Sequence, residues 1–315
     1  MTLNLLMVVL SLGLLFWGAS WLVRGGASVA LRLGLPPLVV GLTIVAYGTS
    51  MPELIVSAKA ALLGRGDIAL GNVVGSNIFN VGVILGLAAL IHPMKVQFQL
   101  IKLDTPVMIG VTFLFLVFFR DATISRWEAA LLFSGVVLYT AGNLYFARKQ
   151  ADAQVDAEFR EAMPPTSRHW TLDVGLIAGG FAILAIGSRL LVDSATALAR
   201  GWGVSEAVIG LTIVAAGTSM PELATSVVAA MKKQPDIAVG NVVGSNVYNL
   251  LGILGVSGLL APLHAPGIRP IDFWAMTLFA VALLPILWSG LIVRRWEGAA
   301  LLGGYGAYLA VLWPK

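Results

Sequence analysis

The chain has 315 residues, 58% of them apolar and only 11% charged, with a formal net charge of +4 and a mean hydropathy of +0.89. Soluble domains carry about a quarter charged residues, so this composition excludes a water-soluble globular protein and implies an integral membrane one. With no cysteine, a disulfide framework and a thiolate metal site are excluded. The Lys and Arg residues, spread singly or in pairs over the loops, do not form a nucleic-acid-binding patch.

Taken in chain order, apolar runs of roughly transmembrane length lie near 3–23, 36–62, 67–91, 103–119, 127–147, 171–192, 204–231, 236–261, 271–293 and 296–313. This predicts ten spans, five per half. The first run lacks a basic flank and is longer than a secretory h-region, so it reads as a retained helix rather than a cleaved signal. The fourth is short and begins with Asp104 and Pro106, and the sixth meets Arg189 and Asp193 at its end. Between the fifth and sixth, residues 148–170 form the one long polar stretch and read as a solvated linker; Asp152, Asp156, Glu158 and Glu161 lack the spacing of an EF-hand loop. The expected organisation is a five-helix repeat over 1–147, a linker over 148–170 and a second five-helix repeat over 171–315.

The two halves are copies. GLTIVAYGTSMPEL at 41–54 returns as GLTIVAAGTSMPEL at 210–223, with thirteen of fourteen positions identical at an offset of 169. DIALGNVVGSN at 67–77 returns as DIAVGNVVGSN at 236–246 at the same offset, with ten of eleven identical. Gly18, Leu22 and Val23 likewise match Gly187, Leu191 and Val192. An odd number of spans per half places the copies in opposite orientations, as in secondary transporters built from inverted repeats. Twelve of the twenty Lys and Arg residues fall on the side carrying 148–170. The positive-inside rule therefore puts that loop in the cytoplasm and both termini outside.

Glu53 and Glu222 lie inside apolar runs, where a carboxylate costs at least about 2.5–3.5 kcal/mol and persists mainly where it binds something. In each GTSMPEL the proline lacks an N–H, so the carbonyl four residues back, at Gly48 or Gly217, loses its helical donor and the helix is expected to kink or break. Thr49 and Ser50 precede Glu53 by four and three residues, on one helical face, and Thr218, Ser219 and Glu222 repeat the arrangement. In the second motif Ser76 and Asn80 share a face, as do Ser245 and Asn249. Gly71, Gly75, Gly240 and Gly244 suit close helix packing. Asn72, Asn77, Asn241 and Asn246 are expected to bind neighbouring backbone, and Asp67 and Asp236 to serve as N-caps or dipole partners at helix starts. Gly64-Arg65-Gly66-Asp67 spells the GxGD string of intramembrane aspartyl proteases, but the second copy reads Lys233-Gln234-Pro235-Asp236, which argues against an enzyme. The donor set is oxygen alone, since His92, His169 and His264 fall in loops or near span ends. Such a site suits Ca²⁺ or Na⁺ rather than Zn or Cu. Two carboxylates balance one Ca²⁺, two Na⁺ or two protons, which makes exchange the natural use.

With GTSMPEL and GNVVGSNxxN each written twice, the chain resembles the calcium/cation antiporter superfamily, specifically the sodium/calcium exchanger family and its small prokaryotic members. The resemblance implies an all-α integral membrane protein with ten transmembrane helices in two inverted five-helix repeats, broken helices 2/3 and 7/8 forming the ion site and helices 1 and 6 sliding to alternate access. Carried over position by position, it implies ligands at Glu53, Glu222, Thr49, Thr218, Ser50, Ser219, Ser76, Ser245, Asn80 and Asn249, with the carbonyls of Ala46 and Ala215. It also implies Na⁺ and Ca²⁺ as substrates, with no cofactor, and a prokaryotic plasma membrane; nothing in the sequence demands more than a monomer. Two departures bear on coupling. Proton-coupled members have a Glu in GNxxE where this chain has Gly75 and Gly244, and potassium-dependent members carry an acid where it has Asn249. Na⁺/Ca²⁺ exchange is the expected function, with proton-coupled divalent exchange and a passive cation channel as alternatives.

Overall fold

In lipid every backbone N–H and C=O must find a partner within its own segment, so long apolar runs wind into helices. The computed structural model describes residues 2–149, 169–201 and 215–312. Its helices are α1 (Thr2–Leu33), α2 (Pro37–Thr49), α3 (Met51–Leu62), α4 (Gly66–Ile91), α5 (Leu100–Asp121), α6 (Arg126–Lys149), α7 (Trp170–Gly201), α8 (Ala215–Thr218), α9 (Met220–Met231), α10 (Pro235–Leu260), α11 (Pro270–Trp288) and α12 (Arg295–Leu312). Seven described helices are long and apolar enough to cross a membrane, or eight if the bent α2–α3 pair is one crossing. Most of the expected linker, 150–168, and the start of the seventh expected span, 204–214, lie outside the described residues.

Three expected boundaries differ. Helices α1 and α7 run on to Leu33 and Gly201, well past the expected ends at 23 and 192, because they pack on each other along their length and Arg32 finds an ion-pair partner in Asp173 at 2.5 Å. The span expected to reach 293 stops at Trp288, where Gly290, at φ +95°, turns the chain out of the helix. Residues Ile292 and Val293, expected at the end of that span, form a strand instead.

Four two-residue strands join the halves. They are β1 (Met94–Lys95), β2 (Thr123–Ile124), β3 (Leu263–His264) and β4 (Ile292–Val293). β1 pairs antiparallel with β4, Met94 opposite Val293, and β2 with β3, Ile124 opposite Leu263. At the repeat offset of 169, Met94 corresponds to Leu263 and Val293 to Ile124, so the two ladders are one contact made reciprocally.

The halves also meet through glycines. A Cβ on Gly18 would lie 2.9 Å from the backbone nitrogen of Leu184 and 3.0 Å from the carbonyl of Gly180, so antiparallel α1 and α7 touch backbone to backbone. Gly240 and Gly244 bring α10 onto α2, where a Cβ would meet the Leu38 and Leu42 carbonyls at 2.9 and 2.6 Å. Their expected packing role holds; Gly71 and Gly75 show no such backbone approach among the described residues. Helices α4 and α10 form the centre. The most apolar stretch of α10 is 94% buried and that of α4 72%, against 22% for α7 at the periphery.

Candidate cation site

The two GTSMPEL segments break as the missing proline N–H requires. Ser50, at φ −82° and ψ 9°, separates α2 from α3, whose axes differ by 47°, and Ser219, at φ −87° and ψ 9°, separates α8 from α9 in the same way. The Gly217 carbonyl, freed by Pro221, takes the Ser188 hydroxyl of α7 at 2.6 Å, whereas the residue equivalent to Ser188 in the first half is Ala19, which has none to give. Helices α4 and α10 do not break. Each instead carries one π turn, Asn80–Leu85 and Asn249–Ile253, opened by the asparagine that the motif singles out. Such turns widen a helix by one residue and gather at functional sites; nothing in the apolar pattern announces them.

Between the breaks and the π turns, side chains of the two halves cross. The Ser50 hydroxyl donates to Oε1 of Glu222 at 2.7 Å, and Ser219 donates to Oε1 of Glu53 at 2.8 Å. Ser50 lies 3.2 Å from the Ser245 hydroxyl, and Ser219 3.1 Å from that of Ser76. Asn72 donates to the Glu53 carbonyl at 3.2 Å and to the Ser57 hydroxyl at 3.0 Å, and Asn241 does the same to Glu222 at 3.2 Å and Ser226 at 2.9 Å. The Thr218 hydroxyl reaches Oδ1 of Asn72 at 3.3 Å, and Thr49 reaches Oδ1 of Asn241 at 3.2 Å. The expectation that Asn72 and Asn241 bind neighbouring backbone therefore holds. Asn77 and Asn246 bind backbone too, but that of the opposite half.

Four oxygens in this network have no donor. They are Oε2 of Glu53, Oε2 of Glu222, Oδ1 of Asn80 and Oδ1 of Asn249, on residues exposed by no more than 2%. A buried acceptor without a partner costs about 1–3 kcal/mol, more when it is charged. Two equivalent pairs of such atoms, one pair from each half, are hard oxygens of the kind that Ca²⁺ or Na⁺ takes. Among the described residues no three His, Cys, Asp or Glu side chains gather. Of the remaining expected site residues, Thr49, Ser50, Ser76, Ser219 and Ser245 lie buried in the network, and Thr218 bonds into it. The Ala46 carbonyl accepts the Ser50 amide at 3.1 Å, and Ala215 opens α8.

Two aspartates meet the dipole half of their expectation and also reach the opposite half. Asp67 and Asp236 sit in the first turns of α4 and α10, as a dipole role requires, but the N-cap positions belong to Arg65 and Gln234. Their carboxylates bind the loops beyond the opposite half's strand, Asp67 accepting from the Gly267 amide at 2.8 Å and Asp236 from the Gln97 side chain at 3.0 Å. Asp104, read in sequence only as an interruption of the fourth span, is wholly buried. It accepts from the Tyr139 hydroxyl at 3.0 Å and from Gln99 at 3.2 Å. Tyr47, two residues before Thr49, stacks on Tyr248, beside Asn249, with ring centres 4.4 Å apart.

A cleft of about 390 Å³ leads to one side of the network, lined by Gly48, Thr49, Met51, Phe181 and Ala185 among others. It opens between α7 and the α2–α3 break. Across the pseudo-symmetry, α1 packs along α9, and Lys232 at the end of α9 donates to the Ser20 carbonyl of α1 at 3.1 Å. Among the described residues, α1 lies against α9 and the cleft lies on the α7 side.

Apolar helices around buried, paired oxygens drawn from two like halves make an integral membrane protein with a candidate cation site, and its relatives place it among transporters rather than enzymes. The chain belongs to the sodium/calcium exchanger protein family, whose sequence model matches residues 3–145 and 172–313. It is 33% identical over 351 residues to the sodium/calcium exchanger MaX1 of Methanosarcina acetivorans, covering 99% of each chain. It is 34% identical over 311 residues to the inner membrane protein YrbG of Escherichia coli, covering 98% of this chain and 96% of that one. Its fold matches the solved structure of the sodium-calcium exchanger NCX_Mj with a TM-score of 0.85 and 28% identity over 99% of each chain.

Proposed function

We propose that this chain exchanges Na⁺ for Ca²⁺ across the membrane by alternating access at the Glu53/Glu222 site. One observation carries the reading: the four buried oxygens without donors, Glu53 Oε2, Glu222 Oε2, Asn80 Oδ1 and Asn249 Oδ1, contributed in equivalent pairs by the two halves. The two carboxylates balance one Ca²⁺, and the neutral oxygens of Thr49, Thr218, Ser50, Ser219, Ser76, Ser245, Asn80 and Asn249, with the Ala46 and Ala215 carbonyls, raise the ligand number toward the six to eight that Ca²⁺ takes. The same carboxylates balance two Na⁺, so the ions compete for one site. If either loaded state crosses and the bare dicarboxylate does not, competition becomes coupled exchange.

In this reading the ten expected spans form two inverted five-helix repeats, 1–147 and 171–315, joined by a cytoplasmic linker at 148–170, with both termini outside a prokaryotic plasma membrane. The cleft between α7 and the α2–α3 break then faces outward. Both halves of the site come from one chain, so a monomer suffices. The test is ⁴⁵Ca²⁺ uptake into proteoliposomes loaded with Na⁺, against matched vesicles holding K⁺ or choline, with and without a pH gradient. Uptake is expected to require internal Na⁺. Uptake that depends only on the proton gradient would replace Na⁺ by H⁺, and uptake indifferent to both would reject an exchanger.

A further inference from the structure

An amide side chain has a direction that a carboxylate lacks, because one end donates and the other accepts. Asn80 and Asn249 present oxygen to a cation only if Nδ2 is turned away from it. A chain of groups of fixed polarity decides this. The backbone carbonyl of Asn246 can only accept, so Asn77 turns Nδ2 toward it, at 3.5 Å; the flipped amide would set two acceptors against each other. Oδ1 of Asn77 is thereby aimed at α10, where it accepts from Nδ2 of Asn249 at 2.9 Å. With its donor end engaged, Asn249 leaves Oδ1 without a donor.

The second copy repeats this link by link. The Asn77 carbonyl accepts from Nδ2 of Asn246 at 3.4 Å, Oδ1 of Asn246 accepts from Nδ2 of Asn80 at 2.9 Å, and Oδ1 of Asn80 is left without a donor. Sulfur, a weak acceptor, favours the same direction in both, with Met276 Sδ 3.9 Å from Nδ2 of Asn77 and Met108 Sδ 3.6 Å from Nδ2 of Asn246. All four asparagines are 1–3% exposed, so bulk water does not replace a missing partner.

We infer that Asn77 and Asn246 are positioning residues that set the polarity of Asn249 and Asn80, holding each amide with its oxygen toward the cation. The inference rests on the reading of Asn80 and Asn249 as cation ligands. Each relay begins at a backbone carbonyl of the ligand's own half and passes through an asparagine of the other, so neither half orients its own ligand. A reversed Asn249 would aim an NH₂ group at the ion.

The test is equilibrium ⁴⁵Ca²⁺ binding to the purified full chain in detergent, which does not depend on coupling. Asn77→Leu is expected to weaken Ca²⁺ binding about tenfold or more, the usual effect of removing a group that orients a metal ligand. The decisive arm repeats it in an Asn249→Asp background. A carboxylate has oxygen at both ends and needs no orienting, and in that background Asn77 Oδ1 faces a second acceptor, so Asn77→Leu should there leave Ca²⁺ affinity unchanged or raise it. Equal losses in both backgrounds would make Asn77 a packing residue and overturn the relay, as would unchanged affinity for Asn77→Leu alone. If Asn77→Leu is not monodisperse by size exclusion, Asn246→Leu with and without Asn80→Asp asks the same of the other copy. Glu53→Gln run in parallel separates the two readings. If it still binds Ca²⁺, the site itself is misassigned; if it loses Ca²⁺ while Asn77→Leu does not, only the relay fails.

Discussion

At the scale of single residues, the reciprocity of the site makes paired forecasts. Glu53 and Glu222 each supply one Oε2 without a donor and one Oε1 held by a serine of the opposite half. Removing one of two charges that face a divalent ion in a buried site costs about 3 kcal/mol or more, which is about 100-fold or more in binding. Glu53→Gln and Glu222→Gln should each abolish Na⁺-driven Ca²⁺ uptake in proteoliposomes with little loss of thermal stability in detergent. Ser50→Ala and Ser219→Ala each delete one hydrogen bond to a carboxylate, worth about 1.5–3 kcal/mol. Both should raise the KM for Ca²⁺ about tenfold or more, and the two values should agree within about threefold. A large inequality between them would mean that the halves do not contribute alike.

At the scale of elements, the repeats fold alike even where their residues differ, and that yields stability tests. The turn after α3 places Gly64 at φ +68°, and the equivalent turn after α9 places Lys233 at φ +55°. Left-handed backbone costs a side-chain-bearing residue roughly 1–2 kcal/mol, partly offset by the greater unfolded-state freedom of glycine. Lys233→Gly should therefore stabilise by about 0.5 kcal/mol and Gly64→Lys destabilise by about 1 kcal/mol, read as opposite shifts in thermal midpoint. Gly18 is a different case. Its Cβ would press on backbone atoms of Leu184 and Gly180, which cannot step aside, whereas Gly13 has nothing within 4 Å. Gly18→Leu should cost about 1–3 kcal/mol through separation of α1 from α7, and Gly13→Leu should be close to neutral by the same thermal assay.

At the scale of the whole molecule, the two halves share their motifs and the crossed hydrogen bonds of the candidate site but differ in how their helices pack among the described residues. α1 packs along α9, while the α7 side carries a cleft that reaches Thr49. The chain contains no cysteine, so a single Ala185→Cys places one thiol in that cleft. A membrane-impermeant maleimide should label it from the outside and not from the cytoplasmic side, and Ca²⁺ should slow the labelling. Labelling from the cytoplasmic side alone would invert the proposed topology. The membrane class, the duplication, the breaks at Pro52 and Pro221, and the Glu, Ser and Asn residues of the candidate site are all legible in the sequence. Proline chemistry, hydropathy and repetition are local properties that survive in one dimension. The tertiary structure decided what depends on contact between distant segments. It joins β1 to β4 and β2 to β3, turns Asp67 and Asp236 toward the opposite half, winds the π turns at Asn80 and Asn249, and directs each serine to the other half's glutamate. Apart from the π turns, whose bonds close within one helix, none of these is written in either copy alone, because each hydrogen bond is completed by an atom in the copy facing it.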